Sequence, residues 1–165
     1  YQANPWSWLA MGRPTSFYYQ TPKGCGASSC SQEILALGTP LLWWLGTVAI
    51  AVVIGLWIRS LVLRHLDPAL TIIVTGIAAG YLPWFFFQQR TVFTFYAIAF
   101  EPFLILALVY SARSIMNTYA GAGQIAVATI FIVLFLNFLY FLPIFLGDVI
   151  TYQAWHARMW FPSWI

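Results

Sequence analysis

The chain has 165 residues, of which 62% are hydrophobic and only 7% charged, with a formal net charge of +3 at pH 7. Soluble domains carry roughly 45–50% apolar and about 25% charged residues, so the composition excludes an ordinary water-soluble fold and leaves a membrane protein. The length falls within the ~100–200 residues of one domain; a start at Tyr1 without a leader-like segment leads us to expect the C-terminal piece of something longer.

The first stretch, 1–34, precedes any candidate span. In "NPWSWLAMGRPTSFYY", Trp6, Trp8, Phe17, Tyr18 and Tyr19 surround Arg13. Aromatic rings beside a guanidinium favour the membrane–water interface, so this segment is expected to lie in it rather than cross. Farther on, Cys25 and Cys30 stand in the Gly/Ser loop "KGCGASSC". They read most simply as a disulfide made in an oxidising compartment; a zinc pair would need two more ligands, and the nearest His is far along the chain.

A bilayer core of about 30 Å needs ~20 helical residues. Candidate spans cover 35–58, 69–87, 91–112 and 124–147. Asp67-Pro68 reads as an N-cap followed by the proline favoured at the first helical position. "SLVLRHLD" links the first two spans and "NTYAGAG" turns the chain between the last two. Short connections predict an all-α membrane protein of four antiparallel transmembrane helices, closed by an interfacial tail over 148–165.

An even number of crossings puts 1–34 and 148–165 on one side. Arg59, Arg64 and Arg113 then share one face, against Arg13, Lys23, Arg90 and Arg158 on the other, too even a division for the positive-inside rule to decide. The cysteine pair favours both flanks outside the cytoplasm.

On that side, where few cations are expected, Arg13, Arg90 and Arg158 call for an anion. Arg90 follows Gln88 and Gln89 in "YLPWFFFQQRTVFTFY", and Arg158 sits with His156 in "YQAWHARMWFPSWI". A guanidinium offers forked donors to phosphate oxygens, so a lipid phosphate at headgroup level is the expected ligand. For any one residue, plain interfacial anchoring is the alternative. A buried carboxylate costs at least ~2.5–3.5 kcal/mol in the bilayer centre; Glu101, placed near the midplane, is expected to pair with Asn137 of the fourth span and to be structural. Glu33, Asp67, Asp148 and His156 read as helix termini or interfacial groups. No Ser/His/Asp set, paired carboxylates, phosphate loop or metal-ligand spacing emerges, so the chain reads as half of an active site, without metal or cofactor.

The stretches "NPWSWLAMGRPTSFYYQ", "ALGTPLLWW", "YLPWFFFQQRTVFTFYAIAFEPF" and "WHARMWFPSWI" resemble the C-terminal four-helix region of the protein O-mannosyltransferase family, in particular its actinobacterial members. The resemblance implies a GT-C-type glycosyltransferase of the cell membrane with its active side extracytoplasmic. Its donor would be polyprenyl-phosphate-mannose, its acceptor Ser or Thr of secreted proteins, and transfer would invert the anomeric centre. The essential acidic residues would lie upstream in the N-terminal part of the enzyme, leaving these residues inactive alone. Carried onto this chain, the resemblance assigns lipid phosphate and sugar binding to Arg13, Arg90, Gln89, Trp6, Trp8, His156 and Arg158, with no catalytic residue here. The alternative is a non-catalytic membrane scaffold.

Overall fold

The computed structural model describes residues 2–165; Tyr1, which opens the predicted 1–34 segment, lies outside them. The chain is mostly helical, but it begins with a sheet, which corrects the all-α expectation. Strands β1 (Thr15–Gln20) and β2 (Cys30–Ala36) pair antiparallel, and β3 (Ile150–Thr151) pairs with the start of β2. Along β2, Ser31, Glu33 and Leu35 are buried while Gln32, Ile34 and Ala36 are less so, the period of two that puts alternate side chains on one face. Cys25 and Cys30 form a disulfide across the loop between the first two strands.

Helix α1 covers Pro40–Val62, so the span expected from residue 35 starts later. Leu35 and Ala36, which looked like its first residues, belong to β2, and Pro40, which needs no intrahelical partner for its missing N–H, begins the helix. Helix α2 covers Pro68–Tyr81, and the side chain of Asp67 accepts from the backbone N–H groups of Ala69 and Leu70. A 3-10 segment, Leu82–Phe87, prolongs this element.

The expected third span is displaced further. Residues 94–99 form a 3-10 turn, and helix α3 starts only at Glu101, with Pro102 in its first turn. Proline disfavours helical geometry in the residue before it and fits the first turn. Glu101 therefore opens the helix instead of lying in its middle. Asn137 has a different partner: its side-chain oxygen accepts from the N–H of Leu41, 3.1 Å away, satisfying a donor that the first turn of α1 leaves open.

Helix α3 runs over Glu101–Leu146, 46 residues. It is broken at Ala120, where φ of 41° and ψ of −123° leave the helical region. Just beyond, a Cβ at Gly123 would sit 2.6 Å from the Ile115 carbonyl oxygen, so only glycine permits this approach. Among the described residues three elements are long and apolar enough to cross a membrane: Pro40–Val62, Pro68–Phe87 and Glu101–Leu146. At its far end α3 stops on Gly147 in the left-handed region, φ 71°, the conformation glycine adopts without penalty. The Gly147 carbonyl accepts from Gln32 Nε2 at 2.8 Å, which ties α3 to the sheet. Helix α4 (Tyr152–His156), capped by the Thr151 hydroxyl, carries the chain back over β2.

An apolar groove of about 700 Å³ lies between the start of α1 and the two stretches of α3, lined among others by Leu42, Leu108, Phe131 and Phe135, with Arg113 also in its wall.

Candidate functional site

The N-terminal segment docks onto the turn that joins α2 to α3. The N–H of Ala3 donates to the Val92 carbonyl at 2.9 Å, and Asn4 Nδ2 donates to Gln88 Oε1 at 3.2 Å. The Tyr81 hydroxyl donates to the Pro5 carbonyl at 2.8 Å. Asn4 also caps the short turn Pro5–Ser7 by accepting from the N–H of Trp6. That turn separates two neighbouring indoles into opposite environments.

Trp6 is 71% exposed, its ring set edge-on against Phe85 at 4.5 Å. Trp8 is completely buried, donating through Nε1 to the Ala3 carbonyl and packing on Tyr81, Trp84 and Tyr96. Trp84 and Tyr96 are themselves stacked, with centroids 4.7 Å apart. Trp8, expected to line a ligand path, is fully buried and forms the keystone of the aromatic floor. Removing such a ring costs about 3–5 kcal/mol.

Arg13 leaves this floor between two clamps. On its N-terminal side, Trp164 Nε1 donates to the Met11 carbonyl at 2.7 Å, and the Ser163 hydroxyl donates to the Gly12 carbonyl. On the other side, the buried Thr94 hydroxyl donates to the carbonyl of Arg13 itself at 2.5 Å. Met11 is held at φ 55°, a left-handed conformation that a residue with a long side chain adopts only where its surroundings impose it. The side chain of Arg13 is exposed. Gln89 and Arg90 are exposed as well, on the same turn that accepts Ala3 and Asn4.

The tail is fixed by its own contacts. Trp44 Nε1 on α1 donates to the Ala10 carbonyl and its ring lies against Trp160 and Phe161. Arg158 is half-buried: Nε donates to the Tyr140 carbonyl and Nη1 to the Ala154 carbonyl, both at 2.6 Å, with the guanidinium over the Tyr140 ring. Part of its donor fork is thus already engaged in holding the tail to α3. His156 is exposed, between the rings of Tyr152 and Trp155.

Sequence reasoning missed Glu33. It is 4% exposed, and Trp155 Nε1 donates to its Oε2 at 2.5 Å. Reading it as a helix start hid the period-two pattern that places it on the inner face of β2, where a buried carboxylate needs such a donor. Thr94 and Trp164 escaped sequence reasoning for another reason: their roles depend on partners 81 and 153 residues away.

Comparison with known proteins then places the chain. Residues 1–164 match the family described as the C-terminal four TMM region of protein-O-mannosyltransferase. Among curated relatives, the polyprenol-phosphate-mannose–protein mannosyltransferase of Corynebacterium glutamicum is 32% identical over 99% of this chain and 32% of its own length. The enzyme of the same name from Mycobacterium tuberculosis is 31% identical over the same shares. The chain thus spans about a third of the length of the curated relatives it matches. Among solved structures, the S. cerevisiae protein O-mannosyltransferase Pmt1–Pmt2 complex bound to the sugar donor is similar in fold, with a TM-score of 0.77 and 22% identity, over 100% of this chain and 24% of that one. An aromatic floor, a clamped arginine and apolar membrane helices thus belong to a member of the protein O-mannosyltransferase family, of which this chain is the C-terminal membrane region.

Proposed function

We propose that this chain is the part of a polyprenyl-phosphate-mannose-dependent protein O-mannosyltransferase that holds the lipid-linked phosphate of the donor. The observation that carries the reading is the hydrogen bond from Thr94 to the Arg13 carbonyl, which ties the Arg13 backbone to the segment four residues beyond Arg90, while Trp164 holds the neighbouring Met11 to the tail. The side chains of Arg13, Gln89 and Arg90 are exposed and rich in donors. Two guanidiniums and an amide suit the oxygens of a phosphate monoester or diester, and the exposed ring of Trp6 offers an apolar face to a sugar or to the first isoprene units.

Transfer follows ordinary substitution chemistry. A carboxylate of the upstream part takes the proton of a Ser or Thr hydroxyl on a secreted protein. The freed oxygen attacks the anomeric carbon of mannose from the side opposite the phosphate, the carbon–oxygen bond to phosphate breaks, and the phosphate leaves with the electron pair. Arg13 and Arg90 stabilise the charge that grows on those leaving oxygens. His156 is exposed at the end of α4, and Arg158 serves the site by holding the tail to α3.

The topology that suits this chemistry has four antiparallel crossings in the cell membrane. A continuous helix of 46 residues would be about 69 Å long, over twice the ~30 Å bilayer core. The break at Ala120 and the contact of Gly123 with Ile115 support a reversal there, so that α3 crosses twice. The sheet and tail then share the extracytoplasmic side with the disulfide, while Arg59, Arg64 and Arg113 face the cytoplasm. In the full-length enzyme, Arg90→Ala is expected to weaken binding of the lipid donor while leaving the affinity for acceptor peptide unchanged; an unaltered donor affinity removes Arg90 from the site.

A further inference from the structure

We propose that the Cys25–Cys30 disulfide is a redox-sensitive latch on the C-terminal tail: closed, it seats residues 150–158 on the sheet, and its reduction by a dithiol frees them and weakens the hold on the lipid donor. The donor arm of the inference rests on the transferase reading above, whereas the latch rests on the contacts of the tail alone.

The bond does little for the hairpin that contains it. β1 and β2 pair from Thr15↔Ala36 to Gln20↔Gln32, and the two cysteines, five positions apart, lie on the loop side of the last of these pairs. A bridge across so short a loop removes less freedom from the unfolded chain than a long-range one. What it does fix is the start of β2. The N–H of Cys25 donates to Cys30 Sγ at 3.2 Å, and Cys30 stands opposite Thr151 as Ser31 does opposite Ile150. Beside them the Ser29 carbonyl accepts from the N–H of Tyr152 at 3.1 Å. β3 is only two residues long, far below the usual strand length, so its seat depends on how firmly residues 29–31 are held.

The rest of the tail follows from that seat. The Thr151 hydroxyl caps α4, Trp155 donates to Glu33, Arg158 reaches the Tyr140 and Ala154 carbonyls, and Trp164 donates to the Met11 carbonyl near Arg13. Loosening β3 therefore acts on one end of a strap whose other end clamps the arginine segment.

Access gives the exchange a direction. Cys25 is half-buried in an exposed loop, whereas Cys30 is 5% exposed. A thiolate of the dithiol attacks Cys25 Sγ, and Cys30 Sγ leaves with the electron pair and takes a proton. The second thiol of the reductant then attacks the mixed disulfide, Cys25 leaves and is protonated in turn, and the reductant closes its own disulfide. Two electrons and two protons pass to the protein.

The experiment uses the full-length enzyme and dithiothreitol, with thiol labelling and mass spectrometry to verify that the bond has opened. Amide hydrogen exchange follows residues 150–158, and steady-state kinetics follows the donor. Opening the bond should speed exchange over 150–158 about tenfold or more and raise the donor KM about 3- to 10-fold with kcat held; both should return when an unlabelled sample is reoxidised. Cys25→Ser is expected to behave as the reduced parent with or without dithiothreitol. The latch is overturned by a bond that resists dithiothreitol in the folded enzyme, by unchanged exchange or donor KM once both thiols are labelled, by failure to recover on reoxidation, or by a response of Cys25→Ser to dithiothreitol. All of these leave the transferase reading standing while the oxidised parent transfers mannose. An oxidised parent that transfers none overturns that reading and the donor arm, and exchange over 150–158 still decides the seating of the tail.

Discussion

The hydroxyl of Thr94 donates to the carbonyl of Arg13 at 2.5 Å, and Thr94 stands only four residues beyond Arg90. One hydrogen bond thus couples the two arginine-bearing segments, 81 positions apart in the chain. Thr94→Val keeps the side-chain shape and removes the donor. We expect the donor KM of the full-length enzyme to rise about fivefold, from a net loss of ~1 kcal/mol, with kcat little changed. Thr94→Ser should restore it. Steady-state kinetics at varied donor concentration checks both.

Trp164 acts on the other flank of Arg13. Trp164→Phe retains the ring but leaves the Met11 carbonyl without its indole donor. A buried acceptor left unpaired costs ~1–3 kcal/mol, so thermal unfolding in detergent should shift down and donor affinity should fall. An unchanged melting curve together with unchanged donor affinity would show that the clamp is idle.

Guanidinium geometry, rather than charge alone, is what the phosphate reading requires of Arg13. Arg13→Lys keeps the charge but lacks the fork, and is expected to recover only a small part of the donor affinity lost in Arg13→Ala. Equal affinities for the Lys variant and the parent enzyme would reduce Arg13 to a general electrostatic anchor.

Asp67 offers a test away from the arginines. It caps α2 and accepts from the Tyr110 hydroxyl at 2.7 Å. That hydrogen bond, helped by the N–H groups of Ala69 and Leu70 and by nearby His65, holds its carboxyl below the ordinary value against a smaller opposing effect of desolvation. The carboxylate's stabilisation is therefore fully present above the ordinary carboxylate range and is lost as pH falls through the lowered folded value. Asp67→Ala should cost about 1 kcal/mol at neutral pH, and the gap between variant and parent should close under acid, as thermal melts across pH 2–7 would reveal.

The reversal proposed at Ala120 can be challenged directly. Gly123→Val places a branched side chain where even a Cβ meets the Ile115 carbonyl. Overpacking against backbone costs ~1–3 kcal/mol or more, so the yield of folded protein in detergent should drop, and protease sensitivity should appear near 115–123. Gly121→Ala, at a position with open space around it, is the control.

Local chemistry was the legible part of this chain. The Asp67-Pro68 start depends on a cap and a ring within two residues, and the Cys25–Cys30 bond closes within a short loop. Glu101 was misplaced because its depth was counted along a span starting at residue 91, whereas residues 94–99 form a 3-10 turn and the helix begins only at Glu101-Pro102. In a chain this apolar, "EILA" looks like bilayer, and only the pairing of β2 with β1 and β3 reveals a strand. Trp6 and Trp8 stand two residues apart with equal claims on a ligand. Their opposite fates are decided by Tyr81, Trp84 and Tyr96, partners that no pattern within the N-terminal segment announces. The arginines were visible as misfits, but the carbonyls that engage Arg158 were not.

The anchoring of residues 11 and 12 by Trp164 and Ser163 also sets a timetable. Ribosomes deliver these partners some 150 positions apart, so the nascent chain threads every hydrophobic helix before the last indole emerges to seat the arginine. Until then Arg13 lacks one of its two clamps, and on the proposed reading a chain cut short of Trp164 is expected to hold the lipid-linked donor more weakly.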